Sequence, residues 1–118
     1  GDIDGMVGCV GPTFAHDVNQ GERRKGKVKF REFCEHMAKC YKETLKDMVV
    51  MVSTDGARAA VEFVVHGQYI GTDSGLPKAK GQKYKLPAGA FLAIKDDQIS
   101  RVTTYYNLKD WIAQVKGE

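Results

Sequence analysis

The side chains of this 118-residue sequence that can do chemistry are three cysteines, three histidines, and scattered carboxylates and tyrosines. Cys9, Cys34 and Cys40 are odd in number, so they cannot all pair, and neither a CxxC step nor a Cys/His ladder is present. None has an adjacent base that would make it a nucleophile, so all three read as small hydrophobes on helices. His36 and Cys40 stand four apart, on one face of a helix, but two potential ligands do not make a site, and no metal is expected. Glu62 and His66 repeat that spacing within an alternating run. There they share the outward face and read as surface or dimer-contact residues rather than an acid/base couple. The basic run Arg23, Arg24, Lys25, Lys27 and Lys29 lacks the interleaved aromatics of a single-strand binder and reads as a solvated loop and first helical turn. No nucleic-acid partner is expected.

Composition bounds the rest. With 42% hydrophobic and 28% charged residues the chain falls within ordinary globular usage, and its length suits one domain over residues 1–118 that buries roughly two-thirds of its unfolded surface. A net charge of +3 demands no polyanionic partner. The longest apolar stretch, Met48 to Val52, is far below the ~20 residues of a membrane span, and no leader pattern opens the chain. A cytoplasmic protein with no membrane partner is the expectation. The sequence starts at Gly1 without an initiator Met, as a fragment or processed form would.

The elements that must position any site follow from periodicity. Asp2 is a good N-cap for a short helix carrying Ile3, Met6, Val7 and Val10, which Gly11-Pro12 would end. Residues 13 to 18 suit a short strand, and Asn19 to Lys25 a loop. From Lys27 to about Leu45, apolar positions recur at three and four residues, the mark of an amphipathic helix. The period then switches to two over Asp47 to Ser53, Arg58 to Ile70, Lys83 to Lys95 and Ile99 to Asn107, which predicts a four-stranded meander. Asp55-Gly56 and Asp96-Asp97-Gln98 mark tight turns, Gly71 to Gly81 is a long connection of the kind that borders sites, and Pro87 demands an edge, bulge or bend. Asn107 caps a terminal helix, Leu108 to Val115, with Asp110 in the capping-box position. This is an α+β layout: a strongly curved antiparallel sheet wrapped on helices, leaving a conical hollow. Strand alternation points Ala59, Val61, Phe63, Val65 and Tyr69 inward, with Arg58, Glu62, His66 and Gln68 outward.

Four strings carry a resemblance: residues 60 to 71 (Ala-Val-Glu-Phe-Val-Val-His-Gly-Gln-Tyr-Ile-Gly), the following Leu-Pro with Gly81, residues 89 to 99 (Gly-Ala-Phe-Leu-Ala-Ile-Lys-Asp-Asp-Gln-Ile) and residues 105 to 111 (Tyr-Tyr-Asn-Leu-Lys-Asp-Trp). In order and spacing they resemble the SnoaL-like and ketosteroid isomerase-like branch of the nuclear transport factor 2-like superfamily. The resemblance implies a half-open cone that binds hydrophobic small molecules, homodimers across the sheet, and no cofactor. In that family a further helix usually precedes the segment resembling Gly1 to Val10, so that helix is expected to be missing. Members range from isomerases and polyketide cyclases to epoxide hydrolases and proteins that only bind or scaffold.

Carried over residue by residue, the resemblance places a carboxylate base nine residues before the glycine that opens the long helix, where Asp17 precedes Gly26. Moving a proton beside a carbonyl requires a base within about 3 Å of the carbon acid, and apolar neighbours such as Phe14 and Val18 would raise its basicity. Equally, Asp17 can simply order its loop or accept a hydrogen bond from His16, Asn19 or an arginine. The acidic oxyanion donor of steroid isomerases would fall near Gly89 or Ala90, and its tyrosine belongs to the preceding helix, so that oxyanion hole is absent and steroid isomerisation is not expected. The inward Asp-Arg-Asp set of epoxide hydrolases would fall at Phe63, Val65 and Thr104, which are wrong for that mechanism. A polyketide-cyclase type of reaction needs less, one acidic residue and a substrate that enolises readily.

Asp17 and Tyr106 are therefore the expected catalytic residues, with Tyr106 orienting the substrate unless its hydroxyl is satisfied in the core. His16, Phe14, Phe63, Val65, Tyr69, Tyr84, Phe91, Val102, Thr104 and Trp111 are the expected substrate-binding set. The ligand would be a hydrophobic carbonyl compound held by a homodimer. The alternative is a non-catalytic ligand-binding or dimeric assembly module of the same fold.

Overall fold

The structure is a computed structural model and describes residues 2–117. Helix α1 (Ile3–Gly8) starts where Asp2 accepts the Gly5 N–H at 2.8 Å, and strand β1 (Val10–Val18) follows almost at once. Gly11-Pro12 therefore does not end the helix as expected but lies in β1, within the register irregularity between Val10 and Ala15 where Pro12's missing N–H breaks no ladder. The stretch expected as loop contains the two-residue strand β2 (Arg24–Lys25), paired with Ala15 and His16.

Helix α2 (Lys27–Cys40) begins after Gly26, whose φ of 90° a side chain would oppose, and stops five residues earlier than the apolar spacing suggested. Tyr41 is already extended (φ −136°, ψ 143°) because strand β3 (Tyr41–Val52) pairs with strand β4 (Arg58–Tyr69) from Tyr41↔Tyr69 onward. Tyr41 and Leu45 are strand residues whose spacing of four also satisfies a period of two.

Strands β5 (Gln82–Lys95) and β6 (Gln98–Tyr106) complete the meander, and helix α3 (Leu108–Lys116) closes the chain under the Asn107 cap, whose side chain accepts the Asp110 N–H. The sheet order is β2-β1-β6-β5-β4-β3, with β1 parallel to β6 and every other pair antiparallel. Asp96 and Asp97 both take positive φ (53° and 60°), the two-residue turn that joins twisted strands. Register breaks at Lys46/Val49 and Ala93/Ile94 bend the open sheet.

Pro87 costs no ladder bond, since β6 joins β5 only from Ala88 onward. Just before it, the Gln114 side chain of α3 accepts the Lys85 N–H (2.8 Å) and donates to the Lys85 carbonyl (3.1 Å), taking the place of a neighbouring strand. The core under α2, α3 and the β4–β5 connection gathers Cys40, Tyr41, Tyr69, Tyr84, Leu86 and Val115, with Met37, Leu76 and Trp111 packed against it. No helix among the described residues is long and apolar enough to cross a membrane.

Candidate functional site

Cross-strand register sorts each candidate onto a face of the sheet. On the inner, helix-facing side the rows run His16–Val102–Leu92–Ala59, then Val18–Thr104–Ala90–Val61, then Tyr106–Ala88–Phe63, then Leu86–Val65–Leu45, then Tyr84–Gly67–Glu43. In the middle rows Val18, Val61, Phe63, Ala88 and Thr104 are half-buried, so this part of the inner face is apolar and open. Ionisable groups stand at its two ends.

At one end His16 is 5% exposed. Its ring meets Phe33 and Phe30 edge-on (centroids 4.6 and 5.4 Å) and stacks on Phe14 at 6.0 Å, while Arg24 lies 5.1 Å over the Phe33 ring. Among the described residues nothing hydrogen-bonds its buried Nδ1. Burial first, and the positive charge of Arg24 second, push its pKa from 6.5 down to about 4, so at neutral pH the imidazole is uncharged with a polar atom unmatched.

Asp17, the next residue along β1, faces the other way, and this corrects the expectation of a carboxylate aimed into the hollow. Strand alternation gives the inner position to His16 and the outer one to Asp17. There Arg23 donates to both carboxylate oxygens at 2.8 Å and Thr103 donates at 3.0 Å. The Arg23 hydrogen bonds, with the Thr103 hydroxyl, hold its pKa below the ordinary carboxylate value. The arginine-bound reading of Asp17 is thus the arrangement observed. Phe91 is a second correction. It pairs with Thr103 on the outer face, 51% exposed, because Ala90 and Leu92 take the inner positions of β5.

At the far end the Tyr84 hydroxyl donates to the Glu43 carboxylate, and Trp111 sits edge-on to Tyr84 and Tyr106 at 6.0 and 6.2 Å. Burial raises the Glu43 pKa against the lowering effect of Tyr84, and burial together with Glu43 raises that of Tyr106. Phe14 and Tyr69 are fully buried, and the Tyr69 hydroxyl is spent on the Pro77 carbonyl and the Asp73 N–H. Phe63, Val65, Val102, Thr104, Tyr106 and Trp111 face inward as expected, and Tyr84 does so with its hydroxyl engaged. Glu43 was missed because the periodicity assigned it to the long helix. The alternation Tyr41, Glu43, Leu45 was the signal that it belongs on a strand.

Comparison with known proteins agrees with the fold. Residues 1–102 match the SnoaL-like domain family. A candidate polyketide cyclase from Pseudomonas putida KT2440 is 54% identical over 97% of this chain and 86% of its own, with a TM-score of 0.94. Similar proteins from Xanthomonas campestris pv. campestris (50% identity, 97% and 84% covered, TM-score 0.94) and Silicibacter sp. TM1040 (56%, 97% and 83%, TM-score 0.92) carry the same description. No curated protein matches the chain. Fold, register and these matches together make it a member of the SnoaL-like domain family.

Proposed function

We propose that this chain binds a hydrophobic carbonyl compound on the inner face between His16 and Tyr106 and moves a proton on it, in the manner of an isomerase or polyketide cyclase, with His16 in place of Asp17 as the base. The observation that carries this reading is the unmatched Nδ1 of an imidazole that is 5% exposed at the end of an open apolar surface. Leaving such an atom unpaired costs on the order of 1–3 kcal/mol, a cost that a ligand removes when the His16 ring turns to bring the enclosed Nδ1 to the inner face. With the ring proton on Nε2, the Nδ1 lone pair is free to take a proton. A base whose pKa is about 4 is weak, which suits a carbon flanked by two carbonyls rather than a simple ketone. The likeness to candidate polyketide cyclases supports the same class of substrate. Thr104 lies one inner row from His16, about 7 Å along the strand, and Tyr106 two rows, about 13 Å, so Thr104 is the nearer hydroxyl for the carbonyl oxygen and Tyr106 serves the distal end.

A second reading, a binding or assembly module without catalysis, draws support from the carboxylate of Asp17 being fully engaged by Arg23 and Thr103. Hydrogen exchange from heavy water into a cyclic 1,3-diketone, followed by NMR, separates the two. The proposal expects the protein to accelerate exchange, His16→Gln to lose about 10²-fold, and Asp17→Asn to retain the rate. If Asp17→Asn abolishes exchange while His16→Gln does not, the base assignment is wrong. If the parent gives no acceleration, the binding module stands.

A further inference from the structure

The long connection between β4 and β5 carries Asp73 back to the last turn of α2. His36 Nε2 lies 2.9 Å from Asp73 Oδ1 and 4.0 Å from Cys40 Sγ, and one ligand atom from each residue falls within 4.8 Å of the others. We propose that His36, Cys40 and Asp73 form a binding site for a zinc-class divalent cation. The helix supplies two ligands at the i, i+4 spacing and the connection supplies the third, which sequence spacing alone could not reveal.

A tetrahedral zinc holds nitrogen and oxygen at about 2.0–2.2 Å and sulfur at about 2.3 Å, which sets its ligand atoms roughly 3.3–3.7 Å apart. The set reaches that geometry when the Cys40 sulfur closes on the other two ligands by about 1 Å and the His36–Asp73 pair, now 2.9 Å apart, opens by about 0.5 Å. Asp73 is already aimed. Tyr41 donates to its Oδ2, the Ser74 N–H donates to Oδ1 at 2.8 Å, and its own N–H donates to the Tyr69 hydroxyl at 2.8 Å. Metal-binding carboxylates are steadied by such outer hydrogen bonds. A thiolate with an imidazole selects zinc, cobalt or a related transition ion over magnesium or calcium.

On binding, the Cys40 thiol proton leaves to solvent, and the Nε2 proton that His36 donates to Asp73 leaves that nitrogen too, so the bound ring carries its one proton on Nδ1. Thiolate and carboxylate then balance the two charges of the ion. The His36 side chain is 52% exposed, so the fourth position opens to water. Such an ion would clip the end of α2 to the connection over the core, a site separate from the inner face of the sheet.

Cobalt titration tests the proposal, in a Cys9→Ser background that removes the exposed thiol. The expected result is one equivalent bound, with a thiolate-to-cobalt charge-transfer band and the visible bands of tetrahedral cobalt, all displaced by zinc. The charge-transfer band should vanish in Cys40→Ser. His36→Ala, at an exposed position that leaves the core intact, should weaken affinity at least tenfold and remove the rise in Tm that zinc gives the parent. Absence of the charge-transfer band, or an affinity unchanged in His36→Ala, would overturn it.

Discussion

His16 and Asp17 are sequence neighbours that the pleat of β1 sends to opposite environments, and their titrations diverge accordingly. His16 has a native pKa of about 4 against 6.5 in an unfolded chain, so between those values the unfolded state binds more protons. The stability this gives is fully present above about pH 6.5 and is lost as the pH falls toward 4. Urea denaturation at pH 7 and pH 4.5 should show a loss on the order of 2 kcal/mol from this residue, after allowance for water reaching the ring edge, that His16→Phe abolishes. An unchanged loss in His16→Phe would mean that His16 is not the group responsible. Asp17 titrates in a lower window. Its carboxylate is held below the ordinary value by Arg23 and Thr103, so its contribution is present above its unfolded pKa and disappears only as the pH falls through the lowered native one. Asp17→Asn should therefore flatten the most acidic part of the stability curve and leave the His16 window intact, which acid titration followed by circular dichroism can read.

At the scale of elements, strands β4 and β5 approach each other through a position where only glycine fits. A Cβ at Gly67 would sit 2.1 Å from the Tyr84 ring, which lies across the strand to reach Glu43. Gly67→Ala must displace Tyr84 and should cost about 1–3 kcal/mol, whereas Gly89→Ala, whose Cβ would meet the nearest atom at an ordinary 3.7 Å, should cost less. Equal melting temperatures for the two variants would contradict this packing account. The same strands show what the sequence could express. Alternation in β4 was readable because Ala59, Val61, Phe63 and Val65 contrast with Arg58 and Glu62. In β5 the inner residues Ala88 and Ala90 are small while Phe91 is large, so side-chain size pointed the wrong way and only the ladder with β6 decides. The α2–β3 junction was hidden because Tyr41 and Leu45 satisfy both periods. The caps at Asp2 and Asn107 were legible because a single local hydrogen bond defines each. Asp73 meeting His36 was not, since 37 residues separate them.

For the whole molecule, the outer face of the sheet presents Phe91 and Tyr105, 51% and 41% exposed and edge-to-face at 6.0 Å, beside Arg58 and Arg101. Apolar exposure of this kind suits a second copy of the chain, and sedimentation should show a dimer that Phe91→Lys, adding a third cation, reduces to monomer. A parent that sediments as monomer would remove the outer face from the account. The proposed placement of the ligand on the inner face rather than the outer can be read in one experiment. NMR cross-relaxation between a bound cyclic 1,3-diketone and the protein should connect the ligand to the His16 ring, Phe63 and the methyls of Val61 and Val102. Contacts confined to Phe91, Tyr105 and Thr103 on the outer face, around Asp17, would contradict the central claim.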